Sequence, residues 1–319
     1  MTDDLRVEQR LVLRDPFAES PGCPGRTASP IIRVMKRYGI AEEQLAHVTC
    51  YRTVGPITVN GDLEKPAWRR LPRSGRFVDM VSGAPALYDT RVACQWDDER
   101  FYVAYWVEEP QVSATLRERD SFIWNDNDVE LFVAGDDCYY ELELNAFGTV
   151  YEAFFVWQDA LRRGSRFDRP ELDVYARDVD LLGGFQDASR WGKHPRGRRF
   201  AFLDYDLDGL RTAVSVDGRI NDPSTTDRGW TVELALPWAS LAALFDGRTL
   251  PPREGETLRC DFSRFEALRV HGKALPENPG WSLNPHGVYD SHIPESFSVV
   301  HFTTRSAPDG GESYSRLTR

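Results

Sequence analysis

Two neighbouring segments of this chain carry acidic residues at alternate positions, and this type and spacing of side chain could bind hydroxyl groups or transfer protons. Residues 128–134 read DVELFVA and residues 138–145 read CYYELELN, with Gly-Asp-Asp between them. Period-two alternation on both sides of a short Gly/Asp loop predicts an antiparallel β-hairpin. The acids that the hairpin places on one face are Asp128, Glu130, Glu141 and Glu143.

The expected register sets these carboxylates against one another. In the tightest hairpin turn, Glu130 lies opposite Glu141, and Asp128 lies opposite Glu143. Like charges directly opposite each other destabilise a strand pair. Such a face therefore needs a cation, an arginine, a shared proton or a hydrogen-bonding ligand. The alternative is a solvated acidic face with splayed side chains, because exposed charges cost little.

Clustered carboxylates also suit two further kinds of chemistry. Glycoside cleavage needs an acid of raised pKa and a nucleophile or base, for which Glu130, Glu143 and Asp128 are the candidate catalytic residues. Ca²⁺ prefers clustered carboxylate and carbonyl oxygens, so Asp126 and Asp128 are candidate calcium ligands. The residues alone leave both possibilities open.

The composition limits the class of partner. The 319 residues are 41% hydrophobic, 28% charged and 12% aromatic, which is typical of a globular protein. The formal net charge of −11 argues against a nucleic-acid or anionic-membrane partner. No segment approaches the roughly 18–20 apolar residues of a membrane span.

The cysteines and the first residues suggest a cellular location. Five widely spaced cysteines without metal-binding spacing indicate free thiols in a reducing compartment. The first residues lack the apolar stretch of a signal peptide. We therefore expect a cytoplasmic protein from the chain as given, and a secreted one if a leader was trimmed.

Strand patterns dominate the chain and predict how it is organised. Residues 90–109, TRVACQWDDERFYVAYWVEE, are typical of a hairpin around an acidic turn. Many short strands and scarcely any helix predict an all-β protein, an antiparallel β-sandwich. The expected parts are an irregular leader (1–50), a sandwich (51–305) with a long irregular loop insertion (158–222) and a short helix after Pro237, and a polar tail (306–319).

Six ordered blocks carry a family resemblance. They are ITVNGDLEKPAW (57–68), WDDERFYVAYWVEEP (96–110), RDSFIWNDNDVELF (119–132), YYELELNAFGTVYEAFF (139–155), VDGRINDPSTTDRGWTVELALPW (216–238) and HIPESFSVVHF (292–302). Together these blocks resemble the family 9 carbohydrate-binding modules, which belong to the DOMON-like, immunoglobulin-like β-sandwiches. The long spacer resembles that of the stand-alone branch of the family.

The resemblance implies a sugar-binding slot between two aromatic rings, serving carbohydrate catabolism. Trp124 matches one ring, and Glu130 matches an acid that binds sugar hydroxyls. The family places an arginine where this chain has Glu143. The candidates for the second ring or for other contacts lie in the segment before the last strand, and they are Trp281, Tyr289 and His292. The full set of expected ligand-binding residues is Trp124, Asp128, Glu130, Glu141, Glu143, Asn145, Trp281, Tyr289 and His292.

Three functions remain open at this stage. The first is binding of a mono- or oligosaccharide, without nucleic acid or membrane as partner and without a certain cofactor, although Ca²⁺ is possible. The second is a carbohydrate-active hydrolase or lyase that uses the same hairpin. The third is a structural or partner-binding sandwich whose sugar site has decayed. The oligomeric state and the identity of the sugar are not predicted.

Overall fold

The computed structural model describes residues 41–183, 194, 196–270 and 273–307. Strands are the main element there, and no helix in these ranges is long and apolar enough to cross a membrane. The strands are β1 (His47–Arg52), β2 (Val78–Asp79), β3 (Thr90–Trp96), β4 (Arg100–Glu108), β5 (Asp128–Ala134), β6 (Cys138–Asn145), β7 (Val150–Trp157), β8 (Val179–Leu182), β9 (Arg199–Phe202), β10 (Arg211–Asp217), β11 (Gly229–Pro237), β12 (Thr257–Phe265), β13 (Arg269–Val270), β14 (Lys273–Ala274), β15 (Gly280–Ser282) and β16 (Ser298–Thr303).

In the part of the chain that the structure describes, helical segments are short. The α-helices are α1 (Pro66–Arg69) and α2 (Trp238–Leu241), and the second confirms the short helix expected after Pro237. The 3₁₀ turns are Glu42–Gln44, Ile123–Asn125, Pro170–Leu172, Ala242–Leu244 and Pro294–Ser296. Turns this short contribute local geometry, and the strands supply the core.

One hydrogen-bonded sheet folds over itself into two layers. Its strand order is β10-β11-β4-β3-β1-β16-β12-β5-β6-β7-β9-β8. Tyr105 of β4 and Phe262 of β12 are not on neighbouring strands, yet their rings lie 6.2 Å apart. The Tyr105 hydroxyl also donates a hydrogen bond of 2.7 Å to the backbone carbonyl of Glu130. The two halves therefore face each other across a shared core, and the predicted β-sandwich is confirmed.

The sheet is mixed where an antiparallel one was expected. β1 runs parallel to both of its neighbours, β3 and β16. All other strand pairs in the described ranges are antiparallel, including the hairpins β3–β4 and β5–β6. Hairpins force antiparallel pairing because a tight turn reverses the chain. No tight turn connects β1 to β3 or β16, so parallel pairing with both neighbours is possible.

The expected insertion and termini differ from the structure in part. Region 158–222 is not irregular throughout, because it contains β8, β9 and β10. β9 pairs with β7, and β10 pairs with β11. β1 begins at His47, inside the predicted leader, while residues 1–40 and 308–319 lie outside the described residues. The strands β8 and β9 have four residues each, so the sequence carried little period-two signal for them.

Candidate functional site

Hairpin β5–β6 forms as predicted, but its register is shifted by two residues. Glu130 lies opposite Glu143, and Asp128 lies opposite Asn145. The expected pairing of Glu130 with Glu141 is therefore wrong, as is that of Asp128 with Glu143. A shift of two residues keeps every side chain on its predicted face. The acids still share one face, with a different pair in direct opposition.

The turn explains the shift. The loop uses four residues, 135–138, and the N–H of Gly135 donates to the carbonyl of Cys138 over 2.9 Å. Asp137 adopts a φ of 64°, a left-handed conformation that aspartate tolerates better than most residues. The longer loop moves the first ladder pair to Ala134 and Tyr139.

The acidic face is buried, so the solvated alternative is wrong. Asp128 is fully buried, and only 3% of Glu130 and 2% of Glu143 is exposed. Glu141 is buried as well. Burying a carboxylate is costly unless it is protonated, paired or bound to a ligand. The alternating acids therefore do not form a water-facing surface.

A cavity of about 350 Å³ opens onto these acids. This volume is in the range of pockets that hold small molecules. The lining residues are Phe122, Trp124, Glu130, Glu141, Glu143, Tyr151, Phe155, Asp180, Leu182, Ala201, Leu203, Phe265, Tyr289, Asp290, Ser291 and His292. Of the predicted ligand-binding residues, six lie here: Trp124, Glu130, Glu141, Glu143, Tyr289 and His292.

An aromatic stack forms one wall of the pocket. The 3₁₀ turn Ile123–Asn125 presents Trp124, which is 40% exposed. The Trp124 ring stacks on Phe122 with 4.5 Å between centroids and 20° between planes. The edge of Tyr151 supports it at 5.2 Å. This packing holds a large apolar face toward the cavity.

Glu130 is the best-held acid of the pocket. Its Oε2 accepts hydrogen bonds from the hydroxyls of Ser263 at 2.7 Å and Ser291 at 2.8 Å. Burial raises the pKa of Glu130 to about 7, against the lowering effect of these two hydroxyls. The group can therefore carry a proton or release it near neutral pH.

Glu143 and Asp128 are less well held. Glu143 Oε2 and Asp128 Oδ2 are buried and have no hydrogen-bond partner. The other oxygen of Asp128 accepts from the backbone N–H of Phe265 at 2.9 Å. Burial, and then the neighbouring carboxylates, raise the pKa of both groups well above the usual value. Their oxygens have capacity left for a ligand.

Glu141 and His292 form a second polar pair in the pocket. His292 Nε2 lies 3.7 Å from Glu141 Oε1, and His292 Nδ1 lies 3.1 Å from the Tyr139 hydroxyl. Burial, followed by the charge of Arg199, lowers the pKa of His292 well below its usual value. Burial also raises the pKa of Glu141, as does the charge of Glu130. Both groups are therefore held toward their neutral forms.

Three predicted ligand-binding residues do not line the pocket: Asp128, Trp281 and Asn145. Trp281 is buried in the core, with its ring 5.9 Å from Tyr88 and beneath the guanidinium of Arg264 at 5.1 Å. The Asn145 amide donates to the Leu116 carbonyl at 2.8 Å and is fully buried. The Trp281 and Asn145 side chains stabilise the fold.

Asp126 also serves the fold, so it does not join Asp128 as the predicted calcium ligand. Its Oδ1 accepts from the Thr115 hydroxyl at 2.6 Å. Its Oδ2 accepts from the backbone N–H groups of Thr115 and Leu116 at 2.8 Å and from Asn145 at 2.9 Å. Asp128 instead lies close to Glu130 and Glu143, and one oxygen from each of the three lies within 4.8 Å of the others.

Several pocket residues were missed by the sequence analysis. Ser263 lies opposite Glu130 on the neighbouring strand β12, a pairing for which the sequence has no local signal. Ser291 comes from the loop before β16 and reaches the same carboxylate. Phe122 and Tyr151 lie inside the family-like blocks, and their aromatic character beside Trp124 was the signal that could have identified them.

Comparisons with known proteins agree with this fold. Residues 81–166 match the family model described as Carbohydrate-binding family 9. This segment includes Trp124 and the whole of hairpin β5–β6. No curated protein matches the chain.

Solved structures provide a second comparison. A crystal structure from Bacteroides uniformis ATCC 8492, provisionally assigned as a carbohydrate-binding protein, has a TM-score of 0.52 and 16% identity, and the alignment covers 81% of this chain and 99% of that one. A family 9 carbohydrate binding module from Caldicellulosiruptor kristjanssonii in complex with cellotriose has a TM-score of 0.45 and 13% identity, with 82% and 95% covered. Its complex with glucose has a TM-score of 0.44, 13% identity and coverages of 82% and 100%.

The Bacteroides structure confirms the fold, and the family model confirms the resemblance over residues 81–166, which include Trp124 and hairpin β5–β6. This chain resembles the family 9 carbohydrate-binding modules.

Proposed function

We propose that the protein binds a mono- or short oligosaccharide in the pocket between the Trp124 stack and the acids of hairpin β5–β6. The observation that carries the proposal is the combination of an exposed aromatic face with buried oxygens in one cavity. An indole covers the C–H face of a sugar ring, and carboxyl groups bind its hydroxyls. The match to a carbohydrate-binding family over residues 81–166 supports this assignment.

Each wall of the pocket would have its own role. Trp124, stacked on Phe122, would provide the platform for the sugar ring. Glu130 would bind hydroxyls, since two serines hold its carboxyl group in place. Tyr289 would supply a second aromatic wall, because its hydroxyl donates to the Asn278 carbonyl and fixes the ring at the cavity. A closed floor of buried acids favours a small ligand or a chain end over the middle of a long polymer.

The test is a titration of the protein with D-glucose, cellobiose, cellotriose and xylobiose, followed by calorimetry. Trp124→Ala is expected to weaken binding by about tenfold or more, equivalent to about 1.4 kcal/mol, because the platform is removed. Tyr175→Ala is the matched control, since Tyr175 is 97% exposed and lies outside this pocket. Absence of binding to every sugar, or equal affinity for Trp124→Ala and the control, would contradict the proposal.

A glycoside hydrolase is a second candidate function for the same residues. It is favoured by the direct opposition of Glu130 and Glu143 and by the pKa of about 7 for Glu130, which suits a general acid. A panel of p-nitrophenyl glycosides tests it. Turnover that is lost in Glu130→Gln would establish the hydrolase, and no turnover by the unmodified protein would exclude it for those substrates.

A further inference from the structure

Three carboxyl groups at the floor of the pocket are arranged as ligands of one ion. Asp128, Glu130 and Glu143 each contribute an oxygen, and the three oxygens lie within 4.8 Å of one another. Oxygens that share one Ca²⁺ at about 2.3–2.6 Å cannot be more than about 5 Å apart. The observed separations meet this limit without any movement of the backbone.

Two of these groups each have one oxygen without the partner that a buried carboxylate requires. Asp128 Oδ2 and Glu143 Oε2 accept no hydrogen bond, although both side chains are almost completely buried. Within the described ranges, no lysine or arginine forms an ion pair with any of the three acids. Arg264 influences Asp128 electrostatically, but its guanidinium is bound to Glu266 at 2.5 Å. Two unpartnered oxygens therefore remain among clustered acids, with no side-chain cation to neutralise them.

We propose that Asp128, Glu130 and Glu143 bind one divalent cation, Ca²⁺, beneath the sugar pocket. Calcium fits because all three ligands are oxygens and because it tolerates irregular geometry, whereas Mg²⁺ demands a nearly ideal octahedron. Zn²⁺ is disfavoured because the three ligands include no histidine or cysteine.

Three protein oxygens leave coordination positions of Ca²⁺ open, since the ion takes about 6–8 ligands. Glu130 and Glu143 line the cavity, and Asp128 does not. The open positions therefore face the pocket, where water or two vicinal hydroxyls of a sugar complete the shell. This last step rests on the proposed sugar binding, and the cation site itself does not.

Protons are the competitor of the cation. Protons bind the same carboxyl oxygens that Ca²⁺ needs, so a protonated carboxyl group at low pH is a poor ligand for the ion. Metal ligands must be deprotonated to bind. The affinity for Ca²⁺ therefore increases as the pH rises.

The experiment is calorimetric titration of the full-length, EDTA-treated protein with CaCl₂ at pH 8 and pH 6, without sugar. We expect one ion per chain, weaker binding at pH 6, and weaker binding of MgCl₂ than of CaCl₂. Glu143→Gln is expected to weaken Ca²⁺ binding by about tenfold or more, because a buried carboxylate ligand is lost. Glu99→Gln, the same chemical change at the exposed β3–β4 turn, serves as the control and is expected to bind as the unmodified protein does.

Asp128→Asn provides a second variant in case Glu143→Gln unfolds, and circular dichroism checks both. No heat and no rise in melting temperature with millimolar CaCl₂ at pH 8 would overturn the cation site. Unchanged Ca²⁺ affinity in the folded variants would overturn its assignment to these residues.

Sugar titrations in CaCl₂ and in EDTA separate this proposal from the previous one. Ca²⁺ binding without binding of any sugar would overturn the proposed function alone. Sugar binding in EDTA without a Ca²⁺ signal would overturn the cation site alone. Sugar binding that strengthens in CaCl₂ would support both proposals.

Discussion

The buried acids near Asn127 form two groups. The groups differ in the hydrogen-bond donors and the cations that contact them. In the first, Glu109 accepts hydrogen bonds from Asn127 and Trp230 at 2.6 Å and from the Ser113 backbone at 3.0 Å. Arg264 lies 3.7 Å from the same carboxylate and also pairs with Glu266. This group has its own cation and its own donors.

The second group consists of Asp128, Glu130 and Glu143. In the described ranges it forms no ion pair with a lysine or arginine, and its hydrogen-bond donors are incomplete. Two of its oxygens accept no hydrogen bond, and a cavity opens onto it. Burial raises the pKa of acids in both groups, so burial alone does not distinguish them. The difference is in the partners: acids satisfied by the chain itself stabilise the fold, and acids left unsatisfied beside a cavity are available to a ligand.

The largest effect is expected from removing the cation of the first group. Arg264→Met would leave Glu109 and Glu266 buried without a cation, which is expected to lower the free energy of unfolding by about 3–5 kcal/mol. Urea-induced unfolding measures the change. Arg228→Met is the control, because the Arg228 side chain is 85% exposed. A loss below about 1 kcal/mol would show that the first group does not depend on its arginine.

A smaller loss of stability is expected at Asp126, because groups of the protein itself donate the hydrogen bonds to its carboxylate. Asp126→Asn would place an amide N–H₂ against N–H and O–H donors of Thr115 and Leu116, with an expected loss of about 1–3 kcal/mol in the free energy of unfolding. Thermal and urea unfolding report it, with the exposed Asp217→Asn as the control. Equal stability of the two variants would refute a structural role for Asp126.

The smallest effect is expected in the second group and depends on pH. A carboxyl group with a raised folded-state pKa contributes stability below its unfolded-state value near 4.5, and this contribution is lost as the pH rises through the folded-state pKa. For Glu130, whose folded-state pKa is about 7, this contribution is lost between about pH 4.5 and about pH 7. In EDTA, stability is therefore expected to fall between pH 5 and 8.

Glu143→Gln is expected to reduce this fall by up to about 1.4 kcal/mol per pH unit, the maximum for one titrating group. Urea unfolding at pH 5, 6, 7 and 8 measures the slope, and Glu99→Gln is the control. A slope that is the same in both variants would mean that Glu143 does not titrate in this range.

The sequence was sufficient for the parts of the molecule set by local pattern. Period-two alternation predicted hairpin β5–β6 and placed Glu130, Glu141 and Glu143 on one face. The turn length was not predictable from Gly-Asp-Asp alone, because Asp137 can adopt either a turn or a left-handed conformation. The predicted register was therefore wrong by two residues, and the direct opposition of Glu130 and Glu143 was not foreseen.

Contacts between residues that are far apart in the sequence could not be predicted. Ser263 and Ser291 meet the carboxylate of Glu130 across 133 and 161 positions of sequence, and no local signal marks them. Trp281 and Tyr289 were equivalent candidates for an aromatic wall. Packing across the layers decided between them, with Trp281 in the core and Tyr289 at the cavity. The aromatic and acidic residues could be predicted from type and spacing, but the hydroxyls that hold them could not.

The parallel strand β1 has a consequence for biosynthesis. One of its neighbours, β3, follows within the next 44 positions, but the other, β16, begins only at Ser298. At about 5–20 residues per second, the ribosome needs roughly ten seconds to one minute to make the intervening chain. During that time one edge of β1 is unpaired, and Ser291 and His292, which complete the pocket, are not yet available. A nascent chain of this protein therefore completes its pocket only with its last strands.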